Sequence, residues 1–270
     1  MSEAIILRPG TEQRRRRSKS ASRVYGIIIL VLLCFAFGEI IFQFIIAPRL
    51  VIKHIDVESD FNLSESEILR IAGIERKEYY FSVSCEEIRR NLASYTVVRE
   101  ASVTKVFPDT LKIVLKRRVP LAMSFSFLDG RMIPVTFDEE GIIFQIGQSI
   151  TEWNLPVVSG LRFTPVMGLR LPGRLKSFLE EMKALRDNTP ELYNLISEIK
   201  IYSTSDVDYE LLFYPMGYTQ SVNFGREING GLIKYSLMVL DVLDKQGMLE
   251  HVEELDFRTT GEVVYRMKEG

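Results

Sequence analysis

The chain predicts an α+β fold behind one N-terminal transmembrane helix, with a small βααββ unit first and then a mostly antiparallel β domain with helical inserts. Three observations carry this. An apolar run from Val24 to Ala47 stands directly behind the basic cluster Arg14-Arg15-Arg16-Arg17-Ser18-Lys19. Two capping-box patterns, Ser64-Glu65-Ser66-Glu67 and Ser84-Cys85-Glu86-Glu87, open short helices between stretches that alternate apolar and polar residues. From Leu121 onward, short alternating segments are separated by Gly, Pro and Asp turns, with two longer helical stretches among them.

As a helix of ~1.5 Å rise per residue, the apolar run reaches ~36 Å, enough to cross a hydrocarbon core of ~30 Å. Lys and Arg beside a span stay on the cytoplasmic side, so residues 1–23 are expected inside and residues after Pro48 outside. A cleaved signal peptide is the competing reading, with Ile27 to Phe37 as its apolar region and small residues in Ala36-Phe37-Gly38. Apolar residues resume at once in Ile40-Ile41-Phe42 and Phe44-Ile45-Ile46, which favours a retained anchor. Large Leu33 before Cys34 argues against a lipid-modified cysteine. Glu39, the ionisable side chain of the span, either bonds to a partner helix or lies near the outer interface.

The tail to Arg23 holds seven basic residues and two acidic ones, a charge of +5 on a chain whose total is −2. A basic tail beside an acidic exported part argues against nucleic acid as the ligand; the Arg run is expected to set topology and touch anionic lipid. About 220 exported residues suit two small domains. Cys85 has no exported partner, so the core holds by burial without an internal disulfide.

In the first unit, Leu50 to Val57 reads as a strand. The helix Glu65 to Ala72 ends at Gly73, and a second helix runs from the Ser84 cap to about Ala93 with Ile88 and Leu92 inward. Val97 to Phe107, a turn at Pro108-Asp109, and Leu111 to Arg118 complete the unit. Two helices on one face of three strands leave the other face and an edge open. Further on, strands are expected at Leu121 to Leu128, Arg131 to Phe137, Gly141 to Ile146, Ile196 to Tyr202, Tyr209 to Tyr214, Thr219 to Phe224, Val252 to Phe257 and Glu262 to Met267. Pro156, Gly160, Pro165, Gly168, Pro172 and Gly173 punctuate a loop-rich link. Helices are expected at Leu175 to Arg186 and at Ile228 to Lys245, the latter turning Leu232, Tyr235, Val239 and Val242 inward. The boundaries are a cytoplasmic tail 1–23, a span 24–47, a first domain 48–119 and a second 120–270.

The residues offer little catalytic chemistry. His54 and His251 lie far apart in the chain, His54 reading as a solvated linker residue, and no cluster has metal-ligand spacing. Asn229-Gly230-Gly231 lacks the Lys-Ser/Thr of a phosphate loop. Asp138-Glu139-Glu140 could offer carboxylates to a glycan hydrolase, which needs a pair ~5 to 9.5 Å apart; before Gly141 they read better as a solvated hairpin turn. Asp206 and Asp208 read as turn acids. No catalytic residue, metal or cofactor is expected.

The stretch Val98-Arg99-Glu100-Ala101-Ser102-Val103-Thr104-Lys105-Val106-Phe107-Pro108-Asp109-Thr110-Leu111-Lys112-Ile113, continuing to Arg118-Val119-Pro120-Leu121-Ala122, resembles a signature of the FtsQ/DivIB cell-division family. Leu155-Pro156-x-x-x-Gly160, Phe224-Gly225 before a helix with Lys234, and Leu255-Asp256-Phe257-Arg258 extend the resemblance in order. Two departures stand out: Arg117 occupies a place usually held by Glu, putting a linker ion pair in doubt, and Glu58-Ser59-Asp60 lacks the usual Gly. The resemblance implies a POTRA domain followed by a β domain, no catalysis, and a scaffolding role in the septal divisome. It further implies that the last strand binds FtsB by strand addition in a complex with FtsL, held until wall synthesis is activated, with other septal proteins met through the POTRA domain and the span. Carried over by position, the contact residues are Arg258, Thr259, Gly261, Val263, Val264 and Tyr265; from residues alone, Val263 and Tyr265 read better as ordinary strand residues packed on their own sheet, and the resemblance reverses that preference. Tyr265 combines apolar area with a polar tip, as an anchor should. A POTRA-type chaperone for exported polypeptides, also working by strand addition, is the alternative function.

Overall fold

A computed structural model describes residues 13–46, 51–60, 63–74, 78–204, 208–259 and 262–268. The described part of the basic tail, from Gln13, and the apolar run to Ile41 form one helix, α1 (Gln13–Ile41), which ends in a π-helical turn, Phe42–Ile46. Its segment Arg23–Phe44 has the length and hydropathy to cross a membrane, with every apolar side chain exposed. The chain then divides into two compact units, one drawn from residues 1–58, 63–91 and 102–114 and the other from 59–62, 92–101 and 115–270.

The βααββ order holds: β1 (His54–Ser59), α2 (Glu65–Ala72), α3 (Cys85–Ala93), β2 (Val98–Val106) and β3 (Thr110–Arg117), with β3 central in a sheet ordered β1-β3-β2. α2 starts where the Ser64 side chain accepts from the Glu67 N–H while Glu67 reaches back to the Ser64 N–H, and it stops at Gly73 in the left-handed region. On β3, Leu111, Ile113 and Leu115 are buried while Lys112, Val114 and Lys116 are not, the period-two pattern of a one-sided sheet. Burial of each such side chain contributes roughly 2 kcal/mol. β1 begins four residues later than the sequence suggests. Val51 forms only an isolated bridge to Tyr79, and His54 is an exposed strand residue, not a linker.

Among the described residues the second sheet has nine strands, β12-β11-β10-β9-β8-β7-β4-β5-β6 in spatial order: β4 (Ala122–Leu128), β5 (Arg131–Phe137), β6 (Ile143–Ile146), β7 (Val157–Ser159), β8 (Ile196–Ser203), β9 (Tyr209–Pro215), β10 (Ser221–Gly225), β11 (Val252–Asp256) and β12 (Val264–Met267). Its pairs are mostly antiparallel; β10 with β11, β7 with β8 and β4 with β7 are parallel. β7 falls inside the stretch expected to be a loop. Pro156 and Gly160 frame a three-residue strand whose neighbour is set by contact: the Met123 N–H donates to the Pro156 carbonyl (2.9 Å), and a Cβ on Gly160 would stand 2.1 Å from the Ile201 carbonyl oxygen.

One core joins the inner face of the sheet to the helices α4 (Lys176–Asn188) and α6 (Gly230–Lys245), through Phe178 and Met182, Ile233 and Leu240, and strand residues such as Ile199, Phe213 and Leu255. A short helix, α5 (Pro190–Tyr193), follows α4; Tyr193 donates its hydroxyl to the Leu121 carbonyl, and burial pushes its phenol pKa up to about 12. α6 turns part of the expected face inward, with Leu232 and Val239 packed on the core, and is otherwise rotated from it. Ile233, Ser236, Leu240 and Leu243 are buried, whereas Tyr235 and Val242 stand about half exposed. The helix is apolar on most of its circumference, so periodicity alone left two adjacent stripes equally suitable.

Candidate partner-binding edge

The two edges of the nine-stranded sheet differ. At one, β6 is buried, and a loop covers it: the Ile143 N–H donates to the Leu169 carbonyl (2.9 Å) and the Gly168 N–H to the Ile143 carbonyl (2.8 Å). At the other, among the described residues β12 pairs with β11 alone, in antiparallel register Val252↔Met267, Glu254↔Arg266, Leu255↔Tyr265 and Asp256↔Val264, and its four residues are exposed on both faces. The Lys268 N–H donates inward to the His251 carbonyl (2.8 Å). By the two-residue alternation of a strand, the N–H and C=O groups of Tyr265 and Met267 therefore point away from β11.

Val264 and Tyr265 are 57% and 50% exposed. Val263, just before the strand, is half-buried and packs on the protein's own core, so the three apolar residues divide between two tasks. Arg258 and Thr259 lie on the exposed segment after β11, and Gly261 lies outside the described residues. Arg258, Thr259 and Val263 line an open cleft of about 610 Å³ beside the β12 edge, shared with Arg226, Tyr235 and Phe257.

The cleft floor is aromatic. Phe257 meets Phe224 and Tyr235 edge-on, with centroids 6.1 and 5.5 Å apart. Its rim is an ion-pair network in which Arg258 donates to both Asp256 oxygens (3.0 Å from Nε to Oδ1, 2.6 Å from Nη2 to Oδ2) and from Nη1 to Glu210 (3.1 Å). These hydrogen bonds hold the Asp256 carboxyl below its usual range and raise the Arg258 guanidinium further. Glu210 escapes sequence reasoning, and Asp256 enters it only within the motif Leu255-Asp256-Phe257-Arg258, without a role. The signal was the Asp-x-Arg spacing, which in extended chain places both side chains on one face. Arg266 is held over β11 by Glu253 (3.3 Å) and Glu254 (3.2 Å), which orients the strand without covering its outer flank.

The three adjacent acids part company: Asp138 is buried and Glu139 partly buried, each held by cations, whereas Glu140 is the exposed turn acid the sequence suggests, beside Arg118 (3.6 Å) and Arg170 (3.5 Å). Asp138 is 1% exposed, pairs with Arg118, and accepts from the backbone N–H groups of Glu140 (3.0 Å) and Ile142 (2.8 Å). Glu139 meets Arg99 (2.7 Å), Lys183 (2.9 Å) and Arg186 (3.0 Å). Burial alone would raise the Glu139 pKa, but the hydrogen bonds from Lys183 and Arg186 and the charge of Arg99 bring it below the usual range. Carboxylates committed to so many cations serve structure. Arg118 thus supplies an ion pair at the linker although its neighbour is Arg117, and Asp60 accepts the Arg117 backbone N–H (2.7 Å). Of the acids expected in the turn after β8, Asp206 lies outside the described residues, and Asp208 pairs with Arg226 (3.1 Å).

Comparison with known proteins agrees with this architecture. Residues 50–118 match the family model of the FtsQ-type POTRA domain. The chain is 21% identical to the cell division protein FtsQ of Koribacter versatilis, over 94% of this chain and 71% of that protein. It is 22% identical to the cell division protein DivIB of Bacillus anthracis, over 80% of this chain and 76% of the other. A shorter stretch of 72 residues is 31% identical to the cell division protein FtsQ of Bartonella bacilliformis, covering 27% of this chain and 23% of that one.

Proposed function

Because the chain belongs to the FtsQ/DivIB cell-division family, we propose that it is a bitopic divisome scaffold that captures the FtsB–FtsL pair by adding an FtsB strand to β12, without catalysis. On this reading residues 1–23 stay in the cytoplasm and 24–47 span the inner membrane. The POTRA domain 48–119 and the β domain 120–270 work outside it at the septum, and other septal proteins meet the POTRA domain and the span.

The observation that carries the proposal is the contrast between the two sheet edges. Burying a peptide N–H or C=O without a partner costs free energy, so a covered edge is a finished one, while β12 offers outward groups that an extended segment can satisfy. The exposed side chains of Val264 and Tyr265 supply apolar area on the two faces of that segment, and the Arg258 rim adds charge selection at the cleft. The same edge serves the chaperone alternative, from which the scaffold differs in selecting one sequence.

The test is capture of an FtsB-derived segment by the full chain and by Val264→Glu. The substitution adds a charge to an edge that the incoming strand must cover, so capture is lost while circular dichroism and the unfolding midpoint stay unchanged. Retained capture places the partner elsewhere. Equal binding of scrambled apolar peptides by the unaltered chain supports the chaperone instead.

A further inference from the structure

Where the chain leaves its apolar helix, the first unit presents an aromatic cluster that strand docking does not use. Val51 is bridged to Tyr79, and the Ile52 N–H donates to the Glu78 carbonyl (3.0 Å). The Lys53 and His54 N–H groups both donate to the Asp109 carbonyl (2.9 and 3.3 Å). These bonds gather the turn at 79–82 and the β2–β3 turn around the first residues after the helix. Tyr80 is buried beneath them, edge-on to Phe81 (5.4 Å) and Phe107 (6.3 Å). The two phenylalanines are 62% and 72% exposed, and Val106 beside them is 47% exposed. Isolated exposed apolar residues are ordinary; a propped aromatic group at a loop end is not.

Its position in the chain says what covers it. The helix is described to Ile46, five positions before Val51. Five residues span at most ~18 Å at full extension, whatever path they take. The base of the cluster therefore stays within that distance of the helix end. The chemistry fits a lipid interface: aromatic rings sit at headgroup depth, and the flanking Lys53 and Lys105 can lay their stems along them with the ammonium groups in water. Lys105 already rests 5.3 Å from the Tyr80 ring centroid.

We infer that Phe81 and Phe107 dock on the surface of the membrane that α1 crosses, fixing how the first unit stands on the bilayer. The inference rests on α1 being a span and is independent of the partner that β12 takes. It is tested in the full chain, reconstituted in vesicles, with Trp153→Phe removing the native indole and a single Trp placed by Phe81→Trp, Phe107→Trp or Glu58→Trp. Glu58 lies seven residues along the chain from Val51, about 23 Å at strand rise. Phospholipid brominated near the headgroup should remove most of the emission of Phe81→Trp and Phe107→Trp, which should also be blue-shifted, and leave Glu58→Trp unaffected. Emission from both cluster sites that matches Glu58→Trp overturns the inference. So does a blue shift that grows with protein density and is insensitive to bromolipid, which assigns the cluster to a second copy of the chain. The two sites are independent exposed aromatic exchanges, so misfolding of one, seen by circular dichroism, leaves the other to decide.

Discussion

Asp138, Glu139 and Glu140 stand side by side in the chain yet take three environments, and the difference has measurable consequences. Glu139 neutralises three cations from positions far apart in sequence, a role that no local pattern announces because Arg99, Lys183 and Arg186 are brought to it by the fold. Glu139→Gln should lower unfolding stability by about 2 kcal/mol, less than the ~3 to 5 of a fully buried pair because Lys183 and Arg99 reach solvent. Its depressed folded-state pKa contributes stability that is present above the unfolded value of about 4.5 and is lost as pH falls through the folded value. The acid limb of an unfolding-midpoint profile should therefore be flatter in Glu139→Gln than in the unaltered chain. Glu181 acts in the reverse sense: burial raises its pKa, against the hydrogen bond it accepts from the Ile228 N–H, so its protonation opposes acid unfolding. At β12, Tyr265→Pro removes an outward N–H without touching the inward ladder, a place where an edge strand tolerates proline. Capture of an FtsB segment should fall at least as far as in Tyr265→Ala, with the fold retained in both.

Element by element, what was legible in the sequence follows from how local each cause is. A capping box and a turn glycine fixed α2, and the Glu87 N–H donating to the Ser84 hydroxyl opened α3, because these bonds lie within four residues of each other. Asn229 likewise caps α6, its side chain accepting from the Leu232 N–H at 2.9 Å; Asn229→Ala should cost about 1 kcal/mol, read as a lower unfolding midpoint. On α6, Leu232 and Val239 pack inward as read but Tyr235 and Val242 do not, because the choice between its two apolar stripes belongs to the sheet it packs on. β7 escaped notice for a related reason. Its length is three residues and its partners β4 and β8 are distant, so the only local trace was the Pro156 and Gly160 punctuation. Gly160 takes φ +80° and faces the β8 backbone, so Gly160→Ala meets both strain and collision, and its unfolding midpoint should drop further than that of Asn229→Ala.

Across the whole molecule, the apolar helix and the terminal strand could be read from periodicity and charge, while the docking role of that strand came from the family resemblance. Of the expected contact residues, Val264 and Tyr265 stand on the open edge, Arg258 and Thr259 line the cleft beside it, Val263 packs on the core, and Gly261 lies outside the described residues. The covered β6 edge could not be read, since the loop 168–171 that closes it has no strand pattern of its own. That asymmetry is the basis of the proposed activity: a sheet closed at one end, open at the other, with an ion-paired cleft beside the open end. Amide hydrogen exchange of the full chain in detergent, with and without an FtsB-derived segment, tests it most directly. Strand addition predicts that the Tyr265 and Met267 amides, which point away from β11, become strongly protected on binding, while the inward Lys268 amide changes little. Binding that leaves Tyr265 and Met267 exchanging as before would contradict the account.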